Sequence, residues 1–195
     1  MTSVGTHLSV GSASLPGMVT TRDDIAELSR FAWSRLDERL AGLTDDEYLW
    51  EPVPGCLTVR PVGDGRFRSD GPVRRDGDQP FSTLAWRLVH IADMLADERN
   101  GPWLGVPAVV APRDGDPGTA ADALAVLRDS HDVWRRVLDS TTDEELARPI
   151  GEIGGPFGED TRRAFALHVL DELIHHGAEA ALLRDLYRAW PRRAA

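Results

Sequence analysis

The chain has a single cysteine, Cys56, which excludes an internal disulfide and any zinc site built on paired cysteines. A reducing cytoplasm fits that usage. No apolar run approaches the roughly 18 to 20 uncharged residues that cross a bilayer, so no membrane partner is expected. No Lys or Arg precedes Arg22, so the first residues lack the charged start of a secretory signal. Residues 1–20, with their Ser, Gly, Thr and Val, read as a flexible N-terminal extension. Clustered positive charge is also missing. The formal net charge is −10, acids interleave the basic residues between Arg60 and Arg75, and Arg188 to Arg193 is a short tail. Phosphate backbones need clustered cations, so nucleic acid is excluded as a partner.

What is present describes one globular domain over residues 21–195. Of 195 residues, 42% are hydrophobic and 28% charged, enough to bury a substantial core. Thr21 can cap a helix over residues 22–43 with Asp23 and Asp24 in its first turn and Ile25, Leu28, Phe31, Ala32, Leu36 and Leu40 inward. Thr44 and Glu47 have capping-box spacing for a short helix ending near Trp50. Periodicity then vanishes through residues 51–80, a long loop with a short β-hairpin around Leu57 to Val62 and Phe67. Loops of this length in compact domains are more often functional or mobile than structural filler. Ser82 or Thr83 caps the next helix, which carries His90 and is expected to run to Asn100, where Gly101 and Pro102 stop it. A third long helix follows over Thr119 to Ser140. Thr142 and Glu145 repeat the capping spacing, and a glycine-rich loop, Gly151 to Gly158, leads into the last helix.

The two halves thus share one plan: long helix, short Thr-capped helix, loop, second long helix. The fold class expected is all-α, a four-helix bundle with long crossings, and such bundles hold metals between facing helices. The last helix, Phe165 to Trp190, carries three of the six histidines within nine residues. Its inward stripe reads as Ala164, Leu167, Leu170, Ile174, Ala178 and Ala181. Residues four apart share a helix face, so His168, Glu172 and His176 form one row, and Asp171 and His175 a second beside it. A histidine and a carboxylate one turn apart can chelate a divalent metal. His90, brought to the same cleft by the repeat, is the candidate third ligand.

Three segments carry a resemblance: LTDDEYLWEPVPG, TLAWRLVHIADML and HVLDELIHHGAEAALLRDLY. In order and spacing the chain resembles the DinB-like metalloprotein superfamily over roughly residues 21–190, especially its mycothiol-dependent, maleylpyruvate isomerase-like branch. The resemblance implies a four-helix bundle holding one divalent metal, zinc or nickel, through His90, Glu172 and His176. A carboxylate at Glu172, where many members have histidine, points to that branch. The resemblance covers the isomerase's bundle and not its additional C-terminal domain, and where the family usually has Gly-His near the last ligand this sequence reads Gly177-Ala178-Glu179.

The function expected is a metal-dependent transferase or isomerase. The metal would activate a low-molecular-weight thiol such as mycothiol against a small electrophile in the cleft beneath the 51–80 loop. The alternatives are a non-catalytic metal- or ligand-binding bundle, as a homodimer, and a metal-assisted hydrolase. His168 reads as a fourth ligand, an orienting partner or a proton shuttle, weighed against a buried histidine bonded to a carbonyl. Asp171 and His175 read as partners that orient the ligands, or as a surface ion pair. Asp93, one turn after His90, is a weaker candidate of that kind. Arg184 reads first as a structural salt bridge.

Overall fold

The computed structural model describes residues 19–71 and 80–190. The extension through residue 18, the loop arginines Arg74 and Arg75, and the tail from residue 191 lie outside the described residues. The main elements are α1 (Thr21–Leu40), α2 (Asp45–Tyr48), β1 (Val59–Gly63), β2 (Arg66–Ser69), α3 (Leu84–Ala96), α4 (Asn100–Trp103), α5 (Ala120–Ser140), α6 (Asp143–Ala147), a 3-10 turn (Glu152–Phe157) and α7 (Arg162–Ala189). The four long helices close a ring in which α1 packs on α7, α7 on α3, α3 on α5 and α5 on α1. No described helix is long and apolar enough to cross a membrane.

Helix starts follow local hydroxyl chemistry. Thr20, Thr44, Thr83, Thr119, Thr142 and Thr161 each accept a backbone N–H from the first turn, satisfying a donor that the helix itself cannot. The first cap is Thr20, one residue before the expected Thr21, because Asp23 completes the reciprocal box with its backbone. That helix stops at Leu40, not Leu43. Gly42, at φ 70°, turns the chain just past that end, and the Arg184 guanidinium on α7 takes up the carbonyls of Arg39 and Ala41.

Helix α3 also ends earlier than expected, at Ala96. The fully buried Asn100 turns its amide back onto the carbonyls of Met94 (2.8 Å) and Leu95 (3.2 Å), capping the last turn. Gly101 and Pro102 then lie inside the short α4 rather than terminating α3. Gly101 is required there, since a Cβ would stand 2.3 Å from the carbonyl oxygen of Pro107.

Two inward stripes differ from expectation. On α1, Leu28 and Phe31 are exposed and Ser29 is buried, because Ser29 Oγ accepts the indole N–H of the fully buried Trp134 at 3.1 Å. On α7 the buried set is Phe165, Ala166, Val169, Leu170, Leu173, Gly177, Ala180, Leu183 and Arg184, while Leu167 and Ile174 are exposed. The helix packs between α1 and α3, so two flanks are covered and a single stripe misplaces the face. Under it lies a continuous core drawn from all four long helices, including Leu36, Leu88, Ile91, Leu127, Leu138 and Leu170.

The expected hairpin forms, β1 pairing antiparallel with β2. It is tied to the head of α3: Thr83 N donates to the Leu57 carbonyl, and Trp86 Nε1 donates to the Asp70 carbonyl at 3.1 Å. Cys56 is buried, its thiol on the Val53 carbonyl.

Candidate metal centre

Helices α3 and α7 pass each other with His90 facing Glu172 and His176. The carboxylate oxygen Glu172 Oε2 lies 3.2 Å from His90 Nε2 and 3.2 Å from His176 Nε2. The three ligand atoms fall within 4.8 Å of one another, close enough to share one ion. The side chains are 30%, 24% and 17% exposed, so the cluster sits at the outer seam of the bundle, reachable from solvent.

The rings are held from behind. His90 stacks on Trp86, centroids 5.1 Å apart and planes within 12°. His176 Nδ1 lies 2.6 Å from Glu179 Oε2, and Arg87 pairs with the same carboxylate oxygen. Arg87 also stands 3.4 Å from His176 Nδ1, but the shorter contact sets the tautomer, with Nδ1–H donating to Glu179. Burial, then the neighbouring His90, lowers the His176 pKa to about 4, so its ring is neutral. Burial pushes the Glu172 carboxyl up, but the hydrogen bond from His90, joined at acid pH by the charges of His176 and His90 where those rings are protonated, outweighs it and holds it below the usual range.

This donor set fits a divalent cation. With Nδ1 protonated, His176 presents a bare Nε2 lone pair to a carboxylate oxygen 3.2 Å away, and two acceptors facing each other want a cation between them. Two neutral imidazoles and one carboxylate are a common set for zinc and related ions, and a carboxylate behind a ligating histidine orients the ring.

The other expected site residues fall elsewhere. His168 is not the buried histidine that one reading allowed. It is 52% exposed, with Nδ1 3.9 Å from Glu172 Oε1, and stands outside the three-ligand group. Asp171 is exposed on the outer face of α7, and His175 pairs with Glu179 at 3.3 Å rather than with Asp171. Asp93 pairs with Arg113 at 2.6 Å, not with His90. His175, His176 and Glu179 make a second close group, but Arg87 already neutralises its carboxylate. Sequence reasoning did not identify Glu179 and Arg87 as the pair behind His176. The signal for Glu179 was its spacing of three from His176 and four from His175; Arg87 stands one turn before His90 on α3.

Residues 29–180 match the family model of the DinB superfamily. A solved structure titled "Crystal structure of the conserved protein of locus from Enterococcus faecalis" is similar in fold. It is 17% identical, with a TM-score of 0.56 over 88% of this chain and 99% of that one. Among curated proteins, none matches.

Proposed function

The chain belongs to the DinB superfamily, and we propose that it is a divalent-metal protein whose ion, zinc or nickel, is held by His90, Glu172 and His176. The observation that carries this reading is the convergence of His90 Nε2 and His176 Nε2 on one oxygen of Glu172. Members of the superfamily commonly bind such ions. When bound, a divalent ion supplies Lewis acidity and holds a coordinated thiol as its thiolate near neutral pH.

The chain's residues support that chemistry in distinct ways. Glu172 contributes the one formal negative charge among the ligands. Glu179 holds the His176 proton on Nδ1, so Nε2 stays available. Arg87 anchors Glu179, and Trp86 limits rotation of His90. With His90, Glu172 and His176 holding the ion at a seam that solvent reaches, the chemistry it would supply is activation of a low-molecular-weight thiol such as mycothiol for a thiol-dependent transfer or isomerisation of a small electrophile.

The test is metal content and cobalt spectroscopy. Purified wild type takes up about one zinc, nickel or cobalt per chain, and His176→Ala loses it. Adding a thiol to the cobalt form brings in a sulfur-to-cobalt charge-transfer band. A wild type that takes up none of the three ions ends the metal reading; metal uptake without a thiol band ends only the thiol chemistry.

A further inference from the structure

Toward its N-terminus, beyond the metal cluster, α7 runs along the short α4 and the 3-10 turn. One turn before Glu172 on α7, His168 lines a cavity of about 490 Å³ together with Trp103, Phe157, Phe165, Ile150 and Arg99. His168 joins the two places, since its Nδ1 stands 3.9 Å from Glu172 Oε1. His90, Glu172 and His176 do not themselves line the cavity, so a molecule in it reaches the cluster by extending past His168. The volume is within the range of small-molecule sites, about 300 to 1,000 Å³.

The walls are aromatic. Buried Phe165 and Ile150 form the floor. The Trp103 ring stands 4.8 Å from Phe165, planes at 58°, and 6.3 Å from Phe157. Phe157 is 54% exposed, a large apolar ring held at the rim by the glycine-rich turn. The Arg99 guanidinium, anchored by Asp97 at 3.0 Å, lies 5.0 Å over Trp103 and 5.8 Å over Phe165. A flat delocalised group thus already rests on these rings. Asp160 also borders the cavity, which disfavours an anion there.

We infer that this cavity is the substrate pocket of the metal cluster and receives an uncharged, flat aromatic group of a small molecule, whose reactive end points past His168 toward Glu172. The inference rests on the metal reading above. Ring selectivity comes from Trp103, Phe157 and Phe165, which stack on a flat face and gain less from a puckered one.

The probe is 2-naphthol, with decahydro-2-naphthol as its saturated counterpart, each titrated by ligand-observed NMR. Naphthol binds at one site and several-fold more tightly than the saturated alcohol. Phe157→Ser, at the exposed rim, and Trp103→Leu each weaken it about two- to tenfold, the usual worth of an aromatic pair. In cobalt-loaded protein, bound naphthol protons are broadened relative to the zinc form, which places the ring beside the ion. Equal affinity for the two alcohols, indifference to Phe157→Ser and Trp103→Leu, or absence of cobalt broadening overturns the inference. Failure to load cobalt is seen separately in metal content and refutes the metal reading, while the ring comparison on metal-free protein still decides the pocket.

Discussion

Removing the carboxylate of Glu47 should cost more stability than any single change at the metal centre. Arg184 on α7 is 1% exposed and Glu47 on α2 is 5% exposed. The pair is bidentate, Nε to Oε1 at 2.7 Å and Nη2 to Oε2 at 2.9 Å, while Nη1 serves the carbonyls of Arg39 and Ala41. One guanidinium thus clamps the end of α1, the short α2 and the last helix. Glu47→Ala leaves it buried with carbonyls but no counter-charge. Breaking one side of a buried ion pair typically costs about 3 to 5 kcal/mol. With a urea dependence of about 2 kcal/mol per molar, the unfolding midpoint falls by about 1.5 to 2.5 M. Against a domain stability of about 5 to 15 kcal/mol, that is a large fraction.

The assay is urea unfolding followed by far-UV circular dichroism, with two companions. Glu47→Gln keeps the shape and loses the charge, so it falls between wild type and Glu47→Ala. Glu47→Leu combined with Arg184→Met removes both charges and should be less destabilised than Glu47→Ala alone, because no buried charge is stranded. A Glu47→Ala midpoint within about 0.5 M of wild type, or a double variant worse than the single, refutes this account of the clamp.

Three further outcomes are expected. Burial lowers the pKa of His131 to about 4, outweighing Asp132 and Asp37, which pull it up; Arg135 adds to the lowering. Its folded form is therefore neutral, stability is full above the unfolded value of 6.5, and about 3 kcal/mol is lost as pH falls toward 4. His131→Phe, which keeps a ring against Trp33, should flatten the dependence of the urea midpoint between pH 7 and 5; an unchanged slope counts against it. Glu179→Gln should weaken zinc affinity by about 10- to 100-fold in a chelator competition, since the proton on His176 Nδ1 is no longer held by a charge. Gly101→Ala should lose about 1 to 3 kcal/mol in thermal unfolding, because its Cβ meets backbone that cannot swing aside.

The legible parts of the fold were those set by neighbours in sequence. A threonine three residues before a free N–H is local chemistry, and the starts at Thr44 and Thr142 could be read to the residue, while α1 begins one residue and α7 three residues before the expected positions. Helix ends were less legible. Ala96 ends α3 where Asn100 caps its last turn, and Leu40 ends α1 where Gly42 turns the chain and Arg184 takes up the freed carbonyls, a contact that the helix's own sequence does not show. The buried face of α7 was misread for a related reason, since a helix between two partners hides no single stripe. The row of His168, Glu172 and His176 was visible from spacing. Its division into two clustered residues and one that stands apart was not, because that depends on where His90 crosses. Glu179 and Arg87 join across helices and leave no spacing signal together.

That crossing also decides how loss of the metal centre should be interpreted. His90, Glu172 and His176 stand on the seam of α3 and α7 with part of each side chain in solvent, while Leu88, Ile91, Val169 and Leu173 fill the space beneath. The polar cluster is therefore laid over a core that is complete without it. The clamp of Glu47 and Arg184 is the opposite case, charge placed inside and satisfied there. A fold that depended on the cluster would lose both metal and stability with His176→Ala. The geometry instead separates the two. His176→Ala should lose its metal while its urea midpoint, measured without metal, stays close to that of wild type. A collapse of the metal-free midpoint would mean that the imidazole packs the seam, and the case for a site laid over an independent bundle would fail.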